Sequence, residues 1–150
     1  MLLAPALCAA AQTAGLPVSA QDSARNLARE HESLQAVCAR CHTLQMVMDT
    51  PMSFDSWHDT VQTMIDRGAN GTDEQLDDIM DYLHRTMTTI NVNAAGAEEL
   101  EIVLNVPEKT AQAILARRSQ RSFTGLADLK SVPGVDASAM DAKAKLIFFK

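Results

Sequence analysis

The chain is short of aromatic side chains and of cysteine, and it has no long apolar run. Its 150 residues include one Trp, one Tyr, four Phe and three Cys. Because no apolar stretch approaches the roughly 20 residues of a spanning helix, no membrane span is expected in the mature protein. A Gly-x-Ser-x-Gly motif and a Ser/His/Asp spacing are also missing, so the sequence does not predict a hydrolase.

The most informative feature is the segment Cys38-Ala39-Arg40-Cys41-His42. Two cysteines three apart, followed at once by histidine, form the attachment signature for c-type haem. Each thiol adds to one haem vinyl group and becomes a thioether, and the histidine is then held beneath the iron. The motif therefore predicts one covalent haem c on Cys38 and Cys41, with His42 as the proximal ligand of the iron.

Other uses of a Cys-x-x-Cys pair fit less well. A thioredoxin-like dithiol needs a strand–helix–strand context, and no strand alternation flanks Cys38. A zinc site needs a second Cys or His pair at short spacing, whereas His31, His58 and His84 are scattered. A bare dithiol, a disulfide or a metal site are the remaining alternatives to haem.

The start of the chain resembles a secretory signal. Residues 1–20 carry no charged side chain and contain a short apolar segment, and Val18-Ser19-Ala20 suits a cleavage site. Ala9-Ala10-Ala11 is a second choice, and the usual basic start is missing. We expect residues 1–20 to be a signal peptide, removed together with Cys8; a disordered Ala-rich tail is the alternative.

Charge divides the rest of the chain into two parts. Residues 21–90 hold five Arg, no Lys and 12 acidic residues, a balance of −7. Residues 91–150 hold eight basic and seven acidic residues, a balance of +1. Such asymmetry indicates two modules with different partners. The acidic part favours a protein partner with a basic patch.

Residues 21–88 have the pattern of a small helical module. Apolar residues recur at helical spacing over 23–41, a loop is expected over 46–53, and Thr72 with Gln75 forms a capping box for a further helix. A module of about 70 residues buries little core unaided. A covalently held haem would supply the missing apolar mass.

The order of these motifs resembles that of small monohaem class I cytochromes c, over residues 23–87. The nearest kind occurs as a subunit of periplasmic oxidoreductases such as sulfite dehydrogenase. After the attachment motif come Trp-x-x-x-Val-x-x-Met-x-x-x-Gly-Ala at 57–69 and Tyr82-Leu83 in a closing helix. The resemblance implies haem attachment outside the cytosol, and it implies that Met64 is the second axial ligand of the iron.

Met64 has rivals as the axial ligand, of which Met52 is the most serious. The weaker ones are Met46, Met48, His58 and His84. Ligation by His and Met leaves no open position on the iron, which favours electron transfer over ligand activation.

The haem propionates need partners of their own. The family pattern often has an arginine between the haem histidine and the tryptophan, but this chain has none between His42 and Trp57. Arg67, Arg40 or the indole N–H of Trp57 are therefore the candidate propionate contacts.

Residues 89–150 contain two helix–turn–helix patterns, with turns at Asn105-Val106-Pro107 and Val132-Pro133-Gly134-Val135-Asp136. Together with Phe-Thr-Gly-Leu-Ala-Asp-Leu and Lys-Thr-Ala-Gln-Ala-Ile, they resemble the tandem helix-hairpin-helix domain of the bacterial competence DNA receptor. The extrinsic photosystem II subunit on the lumenal side uses the same domain for protein docking. The resemblance implies either DNA binding or protein docking.

The hairpins are poorly suited to holding phosphate. Such domains grip phosphate with backbone N–H groups in a Gly-hydrophobic-Gly turn. Pro107 has no N–H, and Asp136 puts a carboxylate where phosphate would lie. The candidate contacts for DNA or a partner are one glycine and four basic residues: Lys109, Arg117, Arg118, Arg121 and Gly134.

The sequence thus predicts an all-α chain with a signal peptide over 1–20, a cytochrome c domain over 21–88 and a helix-hairpin-helix domain over 89–150. The expected function is that of an exported, periplasmic electron-transfer protein, not an enzyme by itself, whose second domain docks a protein partner. It could serve as the electron-accepting subunit of a periplasmic oxidoreductase. The alternative is a periplasmic DNA-binding protein of the competence type, in which haem is a structural or sensing cofactor.

Overall fold

The computed structural model describes residues 20–150, and this part of the chain is mostly helical. The predicted signal peptide, with Cys8, lies outside the described residues except for Ala20. The eight helices of the described part are α1 Ala20–Cys38, α2 Leu44–Met48, α3 Phe54–Asp66, α4 Asp73–Thr86, α5 Ala97–Leu104, α6 Glu108–Gln120, α7 Leu126–Lys130 and α8 Ala137–Ala142.

The all-α expectation is confirmed apart from one short pair of strands. Strand β1, Ile90–Asn91, runs parallel to β2, Ile147–Phe148, with Ile90 opposite Ile147. Both isoleucines are buried, so the pair ties the two ends of the second module together over its core. Two-residue strands are too short to show the alternation by which a strand is recognised in a sequence.

The first core lies mainly between α1 and α4. Its buried members are apolar and come from α1, α3, α4 and the residue after α4: Leu34, Val37, Trp57, Ile79, Tyr82, Leu83 and Met87. Beside this core, buried Asp78 accepts hydrogen bonds from Arg29 at 2.9 and 3.1 Å and from the Ser33 hydroxyl at 2.8 Å. These bonds join α1, which ends at Cys38, to α4.

Local capping signals place the helix starts. The Ser53 hydroxyl accepts a hydrogen bond from the Ser56 amide at the start of α3. At the start of α4, Thr72 and Gln75 exchange two hydrogen bonds, the Gln75 amide to the Thr72 hydroxyl at 3.2 Å and the Thr72 amide to the Gln75 side chain at 3.1 Å. The predicted capping box is therefore confirmed.

Two local expectations were wrong. Helix α1 ends at Cys38 rather than Cys41, so Cys41 and His42 lie in the turn that follows it. The first part of the expected loop over 46–53 is helical, because α2 occupies Leu44–Met48. Extended Thr43 starts this helix, and residues with good helix propensity fill it before the chain reaches Pro51.

The second core is formed by two pairs of successive helices that contact each other, α5 with α6 and α7 with α8. Its buried members are Ile90, Val92, Ala95, Leu100, Val103, Leu104, Val106, Ala111, Ile114, Phe123, Leu129, Val132, Met140 and Ile147. Asn105 ends α5 in the left-handed conformation, with φ +53°, which asparagine tolerates better than most residues. Val106 follows and is buried in this core, and α6 begins two residues later.

The two cores meet along the segment before α3 and the chain that follows α4. The Met52 amide donates to the Met87 carbonyl at 3.2 Å, and the Thr89 amide donates to the Met52 carbonyl at 2.8 Å. Phe54 packs against the second core although it belongs to α3 of the first module. The junction between the modules is thus built partly from the loop that carries Met52.

Candidate functional site

The attachment motif lies where α1 gives way to a turn. Cys38 is the last residue of α1 and is half-buried, Cys41 is exposed, and His42 is half-buried. Both thiols are free, without a disulfide between them. The two sulfurs and the imidazole therefore emerge together from one turn at the edge of the first core.

An apolar crevice opens beside this turn. The space between its walls measures about 620 Å³, a volume that includes solvent at its open mouth. Its walls are mainly aliphatic and sulfur-bearing: Leu34, Cys38, His42, Met46, Val47, Thr50, Met52, Trp57, Thr60, Val61, Met64 and Leu83. An apolar opening of this size in a small helical module would be costly to leave to water.

A second cleft of about 650 Å³ adjoins the same turn and is lined by Val37, Cys38, Cys41, His42, Met64, Arg67 and Ala69. Cys38, His42 and Met64 line both openings. The attachment residues and Met64 thus border the two spaces together. Residues so arranged fit a flat apolar group held at its edge by two thioethers and at its centre by imidazole and thioether ligands.

The two candidate methionines differ in their surroundings. The Met52 sulfur accepts a hydrogen bond from the Thr60 hydroxyl at 3.5 Å, and the Met52 backbone is bonded to Met87 and Thr89. Met64 lies on the half-buried side of α3. It borders both openings together with Cys38 and His42, whereas Met52 borders only the first.

The remaining rivals are separated by location. Met46 lines the first crevice but is 64% exposed, and Met48 packs on the first core. His58 and His84 line a different groove, at the junction of the modules. Neither histidine borders the two openings beside His42.

The position of Cys38 differs from that of a typical redox-active thiol. Burial raises the pKa of the Cys38 thiol above the ordinary value, because a desolvated thiolate is disfavoured. Redox-active Cys-x-x-Cys pairs instead have a thiol with a lowered pKa, usually at the start of a helix. Cys38 stands at the end of α1, where the helix dipole also disfavours a thiolate.

The three candidate propionate contacts are not equivalent. Arg67 lines the second cleft, where its guanidinium can reach an anionic group. Arg40 donates to the Asn70 carbonyl at 3.3 Å. Trp57 is 2% exposed, and its indole N–H donates to the Met87 carbonyl at 3.3 Å. Of the three, Arg67 is the one that lines the second cleft, and a role in propionate binding stays a prediction for all of them.

The second hairpin already has its helix start occupied by a carboxylate. One carboxylate oxygen of Asp136 accepts from the amides of Ser138 at 2.8 Å and Ala139 at 3.0 Å, and from the Ser138 hydroxyl at 2.6 Å. These hydrogen bonds lower the pKa of Asp136. The amides that would bind a phosphate at the start of α8 are therefore satisfied from within the chain.

Gly134 is needed for packing. Its φ is +89°, and a Cβ built there would lie 2.4 Å from the Oγ1 atom of Thr110 on α6. The turn before α8 therefore lies directly against the first turn of α6. This close approach is a sufficient reason for glycine at position 134, and no bound ligand is needed to explain it.

Most of the predicted basic contacts have partners within the second module. Arg117 pairs with Asp128 at 2.6 Å, and its guanidinium also lies over the Phe123 ring. Arg118 donates to the carbonyls of Val92 at 2.9 Å and Ala95 at 2.7 Å.

The other basic residues of the module differ in exposure. Arg121 is exposed and lies 3.9 Å from Asp128. Lys130 pairs with Asp141 at 2.8 Å, and Lys109 is exposed. Arg117, Arg118 and Lys130 therefore serve the fold, which leaves Lys109 and Arg121 as the more available cations among the predicted contacts.

Sequence reasoning missed two groups of functional interest. Buried Glu30 on α1 pairs with Arg85 on α4, and the rings of Phe54, His58 and His84 cluster at the module junction. The spacing of Glu30 from Leu34 and Val37 was a usable signal, because it puts the carboxylate on the apolar stripe of α1. The ring cluster joins residues that are up to 30 positions apart, so no local pattern in the sequence predicted it.

Comparison with known families matches residues 86–147 to the helix-hairpin-helix motif. The match confirms the expected helix-hairpin-helix character of the second module, and a motif of this kind suggests nucleic-acid or protein docking. Neither the curated proteins nor the solved structures contain a match to the chain. Within residues 20–150, the helices are too short or too polar to cross a bilayer.

Proposed function

We propose that the chain is an exported monohaem c-type cytochrome that carries single electrons and docks a protein partner through its helix-hairpin-helix module. The observation that carries the proposal is the shared geometry of Cys38, His42 and Met64, which border two adjoining apolar openings. A motif of this kind placed by chance on a surface turn would not need an apolar crevice beside it.

Each residue of the site has a distinct role in this proposal. The thiols of Cys38 and Cys41 would hold haem through two thioether bonds. The His42 imidazole and the Met64 thioether would be the ligands of its iron. When bound, haem supplies a one-electron Fe(III)/Fe(II) couple.

The residues that line the crevice would influence the reduction potential of that couple. Leu34, Trp57 and Val61 exclude water, and a low-polarity surrounding disfavours the more highly charged ferric state. Ligation by methionine also raises the potential relative to two histidines. Arg67 at the second cleft would balance the charge of a propionate. The open side of the crevice is where electrons enter and leave.

The second module supplies docking rather than chemistry. The hydrogen bonds that Asp136 accepts and the internal partners of Arg117, Arg118 and Lys130 remove most of what DNA binding needs. A protein partner requires no phosphate cradle. A role as the electron-accepting subunit of a periplasmic oxidoreductase fits this proposal, because such a subunit must dock its catalytic partner.

The alternative is a periplasmic DNA-binding protein in which haem is a staple or sensor. The match of residues 86–147 to the helix-hairpin-helix motif favours it. A gel-shift with duplex DNA at low and physiological salt separates the two functions. Micromolar or tighter binding at physiological salt would favour the alternative.

The test uses protein purified from a bacterial host that can mature cytochromes c. We expect a reduced-minus-oxidised spectrum of thioether-linked haem and a redox titration that fits one electron. Met64→Leu should abolish the long-wavelength Met-to-iron band, while Met52→Leu should retain it, and Met80→Leu, which alters a methionine outside the crevice, serves as the matched control. A colourless, folded wild-type protein would contradict the proposal, and loss of the band in Met52→Leu alone would reassign the ligand.

A further inference from the structure

Three aromatic rings meet where the modules join. The Phe54 ring stacks on the His84 imidazole, with centroids 4.0 Å apart and planes 18° from parallel. The His58 imidazole lies 5.0 Å from His84 and 5.7 Å from Phe54. His84 is 4% exposed, and its Nε2 atom has no hydrogen-bond partner. A buried imidazole with an unpaired nitrogen is an unusual thing for a fold to retain.

Charged groups from each neighbouring helix face this pair. The groove beside it, about 700 Å³ in empty volume, is lined from α3 by Phe54 and His58 and from α4 and α5 by acidic and apolar residues. The acidic residues are Asp77 and Asp81 of α4 and Glu98 of α5. Protons are therefore attracted to the groove, while the second imidazole opposes a second proton.

The same elements build the wall of the haem crevice. Trp57, one helical turn after Phe54, lines the crevice and donates its indole N–H to the Met87 carbonyl, three residues after His84. The Met52 backbone bonds to Met87 and Thr89 in the chain that joins the modules. A shift of the first turn of α3 relative to the end of α4 would thus change the crevice and the junction together.

We propose that the His58–His84 pair is a pH-sensitive latch that closes the module junction at neutral pH and loosens both the junction and the crevice wall under mild acid. Neutral His84 fits between Phe54 and His58. A protonated His84 cannot be hydrated where it lies, so its ring leaves the stack and the Phe54 turn follows. The effect on the haem crevice rests on the proposed function; the latch itself does not.

The electrostatic surroundings of His84 agree with a junction that is closed at neutral pH and loosens under mild acid. Burial is the largest influence and lowers the pKa of His84, and the neighbouring His58 lowers it further. A hydrogen bond with the Phe54 backbone and the carboxylates of Asp81 and Glu98 oppose that shift. The latch therefore stays closed above pH 6.5 and opens as the pH falls below it.

The test follows Trp57, the only tryptophan of the chain, by fluorescence between pH 7.5 and 5 in the purified full-length mature protein. Susceptibility to protease at residues 86–96 reports on the junction in parallel. We expect one transition in both signals, and we expect His84→Phe to remove it while preserving the ring stack. His31→Gln, which alters an exposed histidine beside Tyr82, is the matched control and should leave the transition unchanged.

Two further variants distinguish a titrating latch from a structural contact. His58→Gln removes a like charge and should move the midpoint up by about half a pH unit, whereas Glu98→Gln removes an attracting carboxylate and should move it down. An unchanged transition in His84→Phe would overturn the proposal, as would shifts of the same sign in the two variants. If haem is absent the proposed function fails, but the Trp57 and protease signals still decide the latch.

Discussion

Replacing Gly134 by alanine tests the arrangement of the two hairpins most sharply. The new methyl group has to lie where the Thr110 Oγ1 atom now lies, 2.4 Å from the ideal Cβ position. Thr110 is buried and β-branched, so it has little freedom to turn away. The φ of +89° adds backbone strain that any Cβ would meet.

The two contributions can be separated because the chain offers a matched glycine. Gly68 has φ +100° and no atom within 4 Å of its Cβ position. Gly68→Ala should therefore cost only the backbone term, about 1–2 kcal/mol. Gly134→Ala should cost about 2–5 kcal/mol, because overpacking adds roughly 1–3 kcal/mol. Gly134→Ala should also cost 1–3 kcal/mol less when Thr110→Ala is present, a coupling typical of residues in direct contact.

The assay is urea unfolding followed by far-UV circular dichroism, with equal slopes required across the variants. The double-mutant cycle needs the wild type, both single variants and the pair. Equal costs for Gly134→Ala and Gly68→Ala, with no coupling to Thr110, would refute the close approach of the turn before α8 to α6. A phosphate-binding role would then be the better explanation for glycine at position 134.

The remaining predictions concern the core, a buried cation and the second hairpin. Leu34→Ala should destabilise the fold by about 2–5 kcal/mol, because Leu34 is fully buried. Leu27 lies on the same helix but is 39% exposed, so Leu27→Ala should cost clearly less in the same urea assay. Equal costs would contradict the packing of α1 on α4. Burial, together with the nearby charge of Arg85, lowers the pKa of Lys143 from an ordinary 10.5 to about 8. Because the folded state then binds fewer protons than the unfolded state, the free energy of unfolding should rise between pH 8 and 10.5. Lys143→Met should flatten this rise, and a rise that persists in the variant would exclude Lys143 as its source. Asp136→Gly should free the amides at the start of α8 and so raise the affinity for duplex DNA about tenfold at low salt in a gel-shift. No gain in affinity would mean that the Asp136 carboxylate does not prevent phosphate binding.

Local signals in the sequence predicted the features that depend on neighbouring residues. Thr72 and Gln75 form the capping box because the partners are three residues apart and need no other part of the chain. The turn at Asn105 and the two hairpins follow from equally local patterns. The match of residues 86–147 to the helix-hairpin-helix motif agrees with that interpretation.

The partners of buried charges depend on distant parts of the chain and could not be predicted. The position of Glu30 on the apolar stripe of α1 hinted at its burial, but not that Arg85, 55 residues later, would pair with it. Asp78 is likewise buried against Arg29 and Ser33 of α1. The burial of a charged group is decided by its partners rather than by its own segment. The first part of the loop expected over 46–53 was wrong for a different reason, since a five-residue helix spans fewer than two turns and shows no repeated apolar spacing.

The candidate site divides in the same way. Its motif residues were evident from the sequence, because the spacing of Cys38, Cys41 and His42 is contiguous. The crevice beside them depends on Trp57, Met64 and Leu83, which tertiary packing brings to the same space. The preference for Met64 over Met52 came from the resemblance of residues 57–69 to the cytochrome pattern, and it stays a prediction.

The measurement that tests the central claim most directly is the intact mass of the mature protein after denaturation and acid extraction, which remove any haem that is not covalently bound. Protein from a cytochrome-maturing host should carry the added mass of one haem, and a variant lacking both Cys38 and Cys41 should carry none. Wild-type protein that folds natively and shows only the mass of its polypeptide would contradict the account.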